Sequence, residues 1–234
     1  MDTYSTIVQF FQGGGKFMYP IALVLAVGLA ITIERWLFLQ SVASKNRTLW
    51  QRLTPHIRDG NFEAVAQETQ RSQALLAVIL AYGLARVKAA RDREDVEVAM
   101  DESMMEVLPK LEKRTHYLAT FANVATLLGL LGTVVGLIHA FTAVAGVNPA
   151  DKAALLSSSI SEAMNCTAFG LLTAIPLMLI HSWLQSKTTE IEDSLEIASV
   201  KFLNAFTESQ PRVVAAQPAG APTYGRPMTS PAST

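Results

Sequence analysis

The sequence predicts an all-α integral membrane protein with three transmembrane helices, two of them extended into a cytoplasmic helical bundle, and with a disordered C-terminal tail. Three observations predict it. Of the 234 residues, 50% are hydrophobic and only 17% charged, where a soluble domain carries about a quarter of its residues as charges. The shortfall is gathered into three long uncharged stretches. The basic residues are gathered between the first two: positions 41–116 hold 12 of the 19 Lys and Arg.

A helix needs roughly 20 apolar residues to cross ~30 Å of hydrocarbon. The first span is read at 17–39, uncharged until Glu34 and Arg35. The second is read at 117–145, within the uncharged stretch 115–150. The third is read at 162–186, uncharged from Ala163 to Ser186. The N-terminal stretch has Asp2 but no Lys or Arg before Lys16, and no small-residue cleavage site follows the apolar run. It is therefore expected to stay as a membrane anchor rather than to be removed as a signal peptide.

The positive-inside tendency puts 40–116 in the cytoplasm. Residues 1–16 and the short 146–161 loop are then periplasmic, and the C-terminus is cytoplasmic; Lys16 is one contrary vote. From Asp95, acidic residues interleave with Val96, Val98, Ala99, Met104, Met105, Val107, Leu108 and Leu111 without β-type alternation. That pattern runs into the second span, predicting one helix of about 50 residues, roughly 75 Å long, with Pro109 as a point of kinking. Gly60 and the surroundings of Pro55 break the chain earlier. The third span continues over 187–209, with Ile191, Leu195, Ala198, Phe202 and Phe206 at helical spacing. Residues 210–234 hold five of the ten prolines among Ala, Gly, Ser and Thr; that composition buries no core and predicts disorder.

Two faces of small residues carry the candidate chemistry. On the second span Gly129, Gly132, Thr133, Gly136 and Ala140 share one side. On the third, Ala163, Thr167, Gly170 and Ala174 do so. Small residues let membrane helices approach closely, so one reading is packing alone. The other is that these faces line something, with Thr133 and Thr167 supplying hydroxyls. Glu162 opens the third span. An acid at membrane depth is costly and marks function; the plain alternative is an interfacial carboxylate favoured by the helix N-terminus. Cys166, the single cysteine, excludes an intramolecular disulfide and reads as a small packing residue. His139 and His181, near span ends, read as interfacial.

The run 128–141, Leu-Gly-Leu-Leu-Gly-Thr-Val-Val-Gly-Leu-Ile-His-Ala-Phe, is similar to the second-helix signature of the MotA/TolQ/ExbB proton-channel family. The run 162–176, Glu-Ala-Met-Asn-Cys-Thr-Ala-Phe-Gly-Leu-Leu-Thr-Ala-Ile-Pro, resembles its third-helix signature, and Ile33-Glu34-Arg35 resembles the end of its first. The resemblance covers roughly 15–205 and is closest to the three-span ExbB/TolQ branch. It implies a homo-pentamer around a dimer of a single-span ExbD/TolR-type partner with a transmembrane Asp. It also implies that Thr133 and Thr167 line a proton pore with Glu162 near the same lumen. This sequence has no Asp in any span, which suits that division of labour. Thr126 stands where the family usually has proline, and Asn165 and Cys166 where it has aliphatic residues; they add polarity near the implied pore or subunit contacts.

On this reading the chain transmits proton-motive force to work in the cell envelope, in the inner membrane, and carries out no reaction; no cofactor and no nucleic acid are expected, and lipid surrounds it. Moving one charge across the field is worth about 2.3 kcal/mol per 100 mV. The alternative is a structural or transporter-type membrane protein without ion conduction. A flagellar-type stator usually has four spans. An enzyme would need a metal cluster, a nucleophile–base pair or a phosphate loop, none of which is visible. A secondary transporter would show broken midplane helices in matched halves.

Overall fold

The computed structural model describes residues 13–87, 93–146 and 148–209. The predicted disordered tail at 210–234, and all but the end of the 1–16 segment, lie outside the described residues. Six helices make up the described chain: α1 (Met18–Arg58), α2 (Phe62–Arg71), α3 (Leu75–Val87), α4 (Arg93–Glu112), α5 (Thr115–Val144) and α6 (Pro149–Ser209). Three stretches are long and apolar enough to cross a membrane: α1, α4 with α5, and α6.

Close contacts fix how the long helices run. Gly15, just before α1, faces Glu162 of α6, and Gly28 of α1 faces Leu177. Both numbers rise together, so these helices are parallel. Between α5 and α6, Gly129 meets Gly170 while Gly136 meets Ala163, so that pair is antiparallel. All the spans thus reach one common polar bundle. At ~1.5 Å per residue, the 61 residues of α6 far exceed any bilayer, and α1 at 41 residues also continues well past it.

Two expected boundaries move. Residues 149–161, expected as loop, form the first turns of α6. Pro149 occupies the first helical position, where its missing N–H costs nothing. Asp151 in the first turn faces the positive end of the helix, and alanines follow. The expected single helix of about 50 residues is broken: α4 ends at Glu112, and Arg114 takes a left-handed φ of 69°. Pro109 lies within the last turn of α4 and offers no N–H to it. Its own carbonyl accepts from the Lys113 N–H at 3.1 Å, closing that turn just before the break.

The polar bundle is built on residues at helical spacing. Leu39, Val42, Leu49, Leu53 and Ile57 of α1 are buried against Leu184, Ile191, Leu195, Ala198, Phe202 and Phe206 of α6. Of the α4 positions expected to be apolar contacts, Val96, Ala99, Val107 and Leu111 are buried, whereas Val98 and Met105 face outward. Helix α1 passes through Pro55 and stops beyond it. Gly60 at φ +68° ends it, with its N–H donating to the Ile57 carbonyl at 3.2 Å and the Asn61 N–H to His56 at 2.9 Å, a left-handed helix stop. Asn61 then caps α2, its side chain accepting from the Ala64 N–H. Phe62 stands edge-on to Phe202 and Phe206, with centroids 5.7 and 5.8 Å apart, which pins α2 to the far end of α6. Nearer the spans, Glu192 of α6 is partly buried. That burial, then Glu112 and Asp193, pushes its carboxyl above the usual range.

Candidate functional site

The α5–α6 pair is the most extensive contact among the described helices, and glycines create it. A Cβ on Gly170 would stand 2.7 Å from the Ala125 carbonyl oxygen and 3.0 Å from Gly129 Cα. A Cβ on Gly129 would stand 3.2 Å from Thr167 Cα and 3.4 Å from the Cys166 carbonyl oxygen. These neighbours are backbone atoms that cannot swing aside. Only glycine lets the helices come this close, the condition for strong packing without a hydrophobic drive. Gly132 lies against the Cys166 sulfur, and Gly136 against Ala163, whose Cβ would be 2.8 Å away.

Of the two predicted small faces, Gly129, Gly132, Ala140, Ala163, Gly170 and Ala174 are buried and Gly136 is half-buried. The face on α6 also contains Cys166 and Thr173, each 1% exposed. Thr173 was missed, although its position three residues after Gly170 puts it on the same side. Its hydroxyl is buried with no protein partner.

The threonines behave differently. Thr167 donates from its hydroxyl to the Gly129 carbonyl across the helix pair at 2.7 Å. This is the bond that Gly129, having no side chain, leaves room for. Thr133 is half-buried and donates to Leu130 of its own helix at 2.6 Å. Since Gly132 meets Cys166, the two threonines lie within about one turn of each other in depth. Each hydroxyl has spent its proton on a carbonyl and keeps lone pairs that accept.

Glu162 is exposed and sits about four turns inside α6 rather than at its N-terminus, because the helix starts at Pro149. The dipole of its own helix therefore gives it nothing; its carboxylate lies instead against Gly15, before α1. Asn165, one turn on, donates to the Gly13 carbonyl at 3.4 Å. Thr126 is spent on the Ala122 carbonyl at 3.1 Å. His139 is exposed and His181 half-buried.

At the other end of the spans, Arg35 donates twice to Glu34, at 2.9 and 2.7 Å. Its guanidinium lies 4.7 Å over the Phe38 ring and is 4% exposed. Arg114, the left-handed residue, reaches the same Glu34 at 3.6 Å. The break between α4 and α5 is thereby tied to α1 where the spans meet the bundle.

The outward faces of the spans are apolar: Leu127, Leu130, Leu131, Val134, Ile138 and Phe141 on α5, and Leu171, Leu172, Ile175 and Leu179 on α6. No more than a third of each span's most apolar window is buried within the subunit. Three helices of this length and apolarity, joined by glycine contacts, define an integral membrane protein.

The model of the MotA/TolQ/ExbB proton channel family matches residues 71–197, and the chain belongs to that family. It is 28% identical over 206 residues to a putative biopolymer transport protein ExbB homolog of Methanothermobacter thermautotrophicus, covering 84% of this chain and 69% of that one. It is 36% identical over 109 residues to the Tol-Pal system protein TolQ of Haemophilus influenzae, covering 47% and 46%. It is 31% identical over 113 residues to the biopolymer transport protein ExbB of Aquifex aeolicus, covering 48% and 74%. The likeness falls on the ExbB/TolQ branch. The chain is an inner-membrane protein of a proton-channel family.

Proposed function

We propose that this chain is the pore-forming subunit of an inner-membrane motor that couples proton-motive force to mechanical work in the envelope. Five copies would surround a dimer of a single-span ExbD/TolR-type partner. The observation that carries the reading is the glycine-packed α5–α6 pair with Thr133 and Thr167 at matching depth. A pore built so is neutral and polar. Its hydroxyl lone pairs can accept from a protonated partner carboxyl without adding a competing charge. Protonation removes the carboxylate's charge in a low-dielectric site, which changes packing between partner and ring. The long shared bundle of α1, α4 and α6 supports a rigid ring against which the inner dimer can move.

On this reading the N-terminus and the α5–α6 connection are periplasmic and the bundle is cytoplasmic. A cysteine at exposed Gln73 should then react with an impermeant maleimide only after the inner membrane is opened. One at exposed Ala150 should react in intact spheroplasts. Cys166, at 1% exposure, gives little background. The opposite pattern would invert the pore. Native mass spectrometry of the detergent-extracted protein should give five copies as the main species; a dominant monomer or dimer would contradict the ring.

A further inference from the structure

We infer that the turn at residues 13–17 is a seat for Glu162, with Gly15 and Asn165 as the positioning residues that hold this carboxylate against the outer end of the helix pair. The inference rests on the proposed pore and extends it to residues that no small-residue face contains.

Four contacts converge on this turn. Gly15 has φ +71°, and a Cβ there would overlap the Glu162 carboxylate oxygen, with the carboxyl carbon 3.1 Å and Cγ 3.3 Å away. Glycine is thus required twice, for the backbone and for the carboxylate. Asn165 donates to the Gly13 carbonyl at 3.4 Å, fixing the turn to the face of α6 that Glu162 heads. Phe17 packs towards Gly132 on α5, 3.4 Å from where a Cβ would stand. Met18, fully buried, closes on Gly14. The turn therefore touches α5 and α6 together and sits where Glu162 would otherwise swing freely. A long acidic side chain on an exposed helix face samples many rotamers; one held against backbone keeps its charge at a fixed place by the mouth.

The test uses a second glycine as its reference. Gly60 has nearly the same φ, +68°, but the nearest atom to its missing Cβ is Ser209 Cβ at 3.8 Å. Gly60→Ala measures backbone strain alone; Gly15→Ala adds the collision with Glu162. Glu162→Asp withdraws the carboxylate by about one C–C bond, ~1.5 Å. The full-length variants are measured for thermal midpoint in detergent and for proton flux in proteoliposomes with the single-span partner. Gly60→Ala should lower the midpoint by roughly 2–8 °C and leave flux unchanged. Gly15→Ala should lower it further and cut flux by about tenfold, the effect of ~1.4 kcal/mol on a barrier. Adding Glu162→Asp to Gly15→Ala should restore much of both. Rescue by the shorter acid is an outcome that a merely structural glycine would not give. The inference is overturned if Gly15→Ala matches Gly60→Ala, if Glu162→Asp fails to rescue it, or if rescue is confined to the thermal midpoint. Wild-type flux in Glu162→Gln would likewise overturn it, whereas a loss of the pore reading itself would show differently, as no flux from the assembled wild-type complex.

Discussion

Thr133→Val and Thr167→Val are each expected to cut proton-dependent work by about 10- to 100-fold while the ring still assembles. The magnitude follows from leaving a polar transfer step without its acceptor, about 1–3 kcal/mol, with each ~1.4 kcal/mol worth a factor of ten. Valine matches threonine in shape and lacks only the hydroxyl. The two positions nevertheless differ in what else is lost. The Thr133 hydroxyl bonds within its own helix, so Thr133→Val should leave stability nearly unchanged. Thr167→Val also deletes the bond to Gly129, worth about 0.6 and at most about 1.7 kcal/mol between membrane helices. It should lower the thermal midpoint as well as activity. Ser at either site keeps the hydroxyl and should recover most of the function. The measurement is complementation in cells lacking the chromosomal copy, with expression and native-gel assembly controls. Full activity in both Val variants would reduce the hydroxyls to packing groups.

Gly170→Ala is expected to be the most damaging single methyl group in the spans. Its Cβ would meet the Ala125 carbonyl and Gly129 Cα, both backbone. The helices must separate, which loosens the Gly129 contact and stretches the Thr167 bond. Overpacking of this kind costs about 1–3 kcal/mol, or a fall of roughly 2–12 °C in the midpoint for a chain of this size. Gly170→Val should cost more and prevent pairing. Gly146→Ala is the control, since nothing lies within 4 Å of its missing Cβ. Circular dichroism melts of the purified variants decide this: equal midpoints for Gly170→Ala and Gly146→Ala would show that α5 and α6 do not need their close approach.

Much of this was legible in the sequence because its signals are long or periodic. A run of some 20 uncharged residues admits few readings in a chain of this size, and small residues at helical spacing mark where backbones meet. The bundle half of α6 followed from Ile191, Leu195, Ala198, Phe202 and Phe206, all buried. What was less legible depended on backbone choices made elsewhere. The start of α6 at Pro149 is set by local capping rather than by hydropathy, so the 149–161 stretch read as loop. The break at Arg114 follows Pro109 by about one turn, a delay that no residue pattern announces. The seat of Glu162 on Gly15 joins positions 147 residues apart, and the site of Thr173 becomes distinctive only once Gly170 is known to touch α5.

The most direct test of the account is proton flux in liposomes holding this chain with its single-span partner under an imposed pH gradient. The account predicts flux that needs both proteins and falls by about tenfold or more in Thr133→Val with the ring intact. Flux from this chain alone, or no flux from an assembled complex of both, would contradict it.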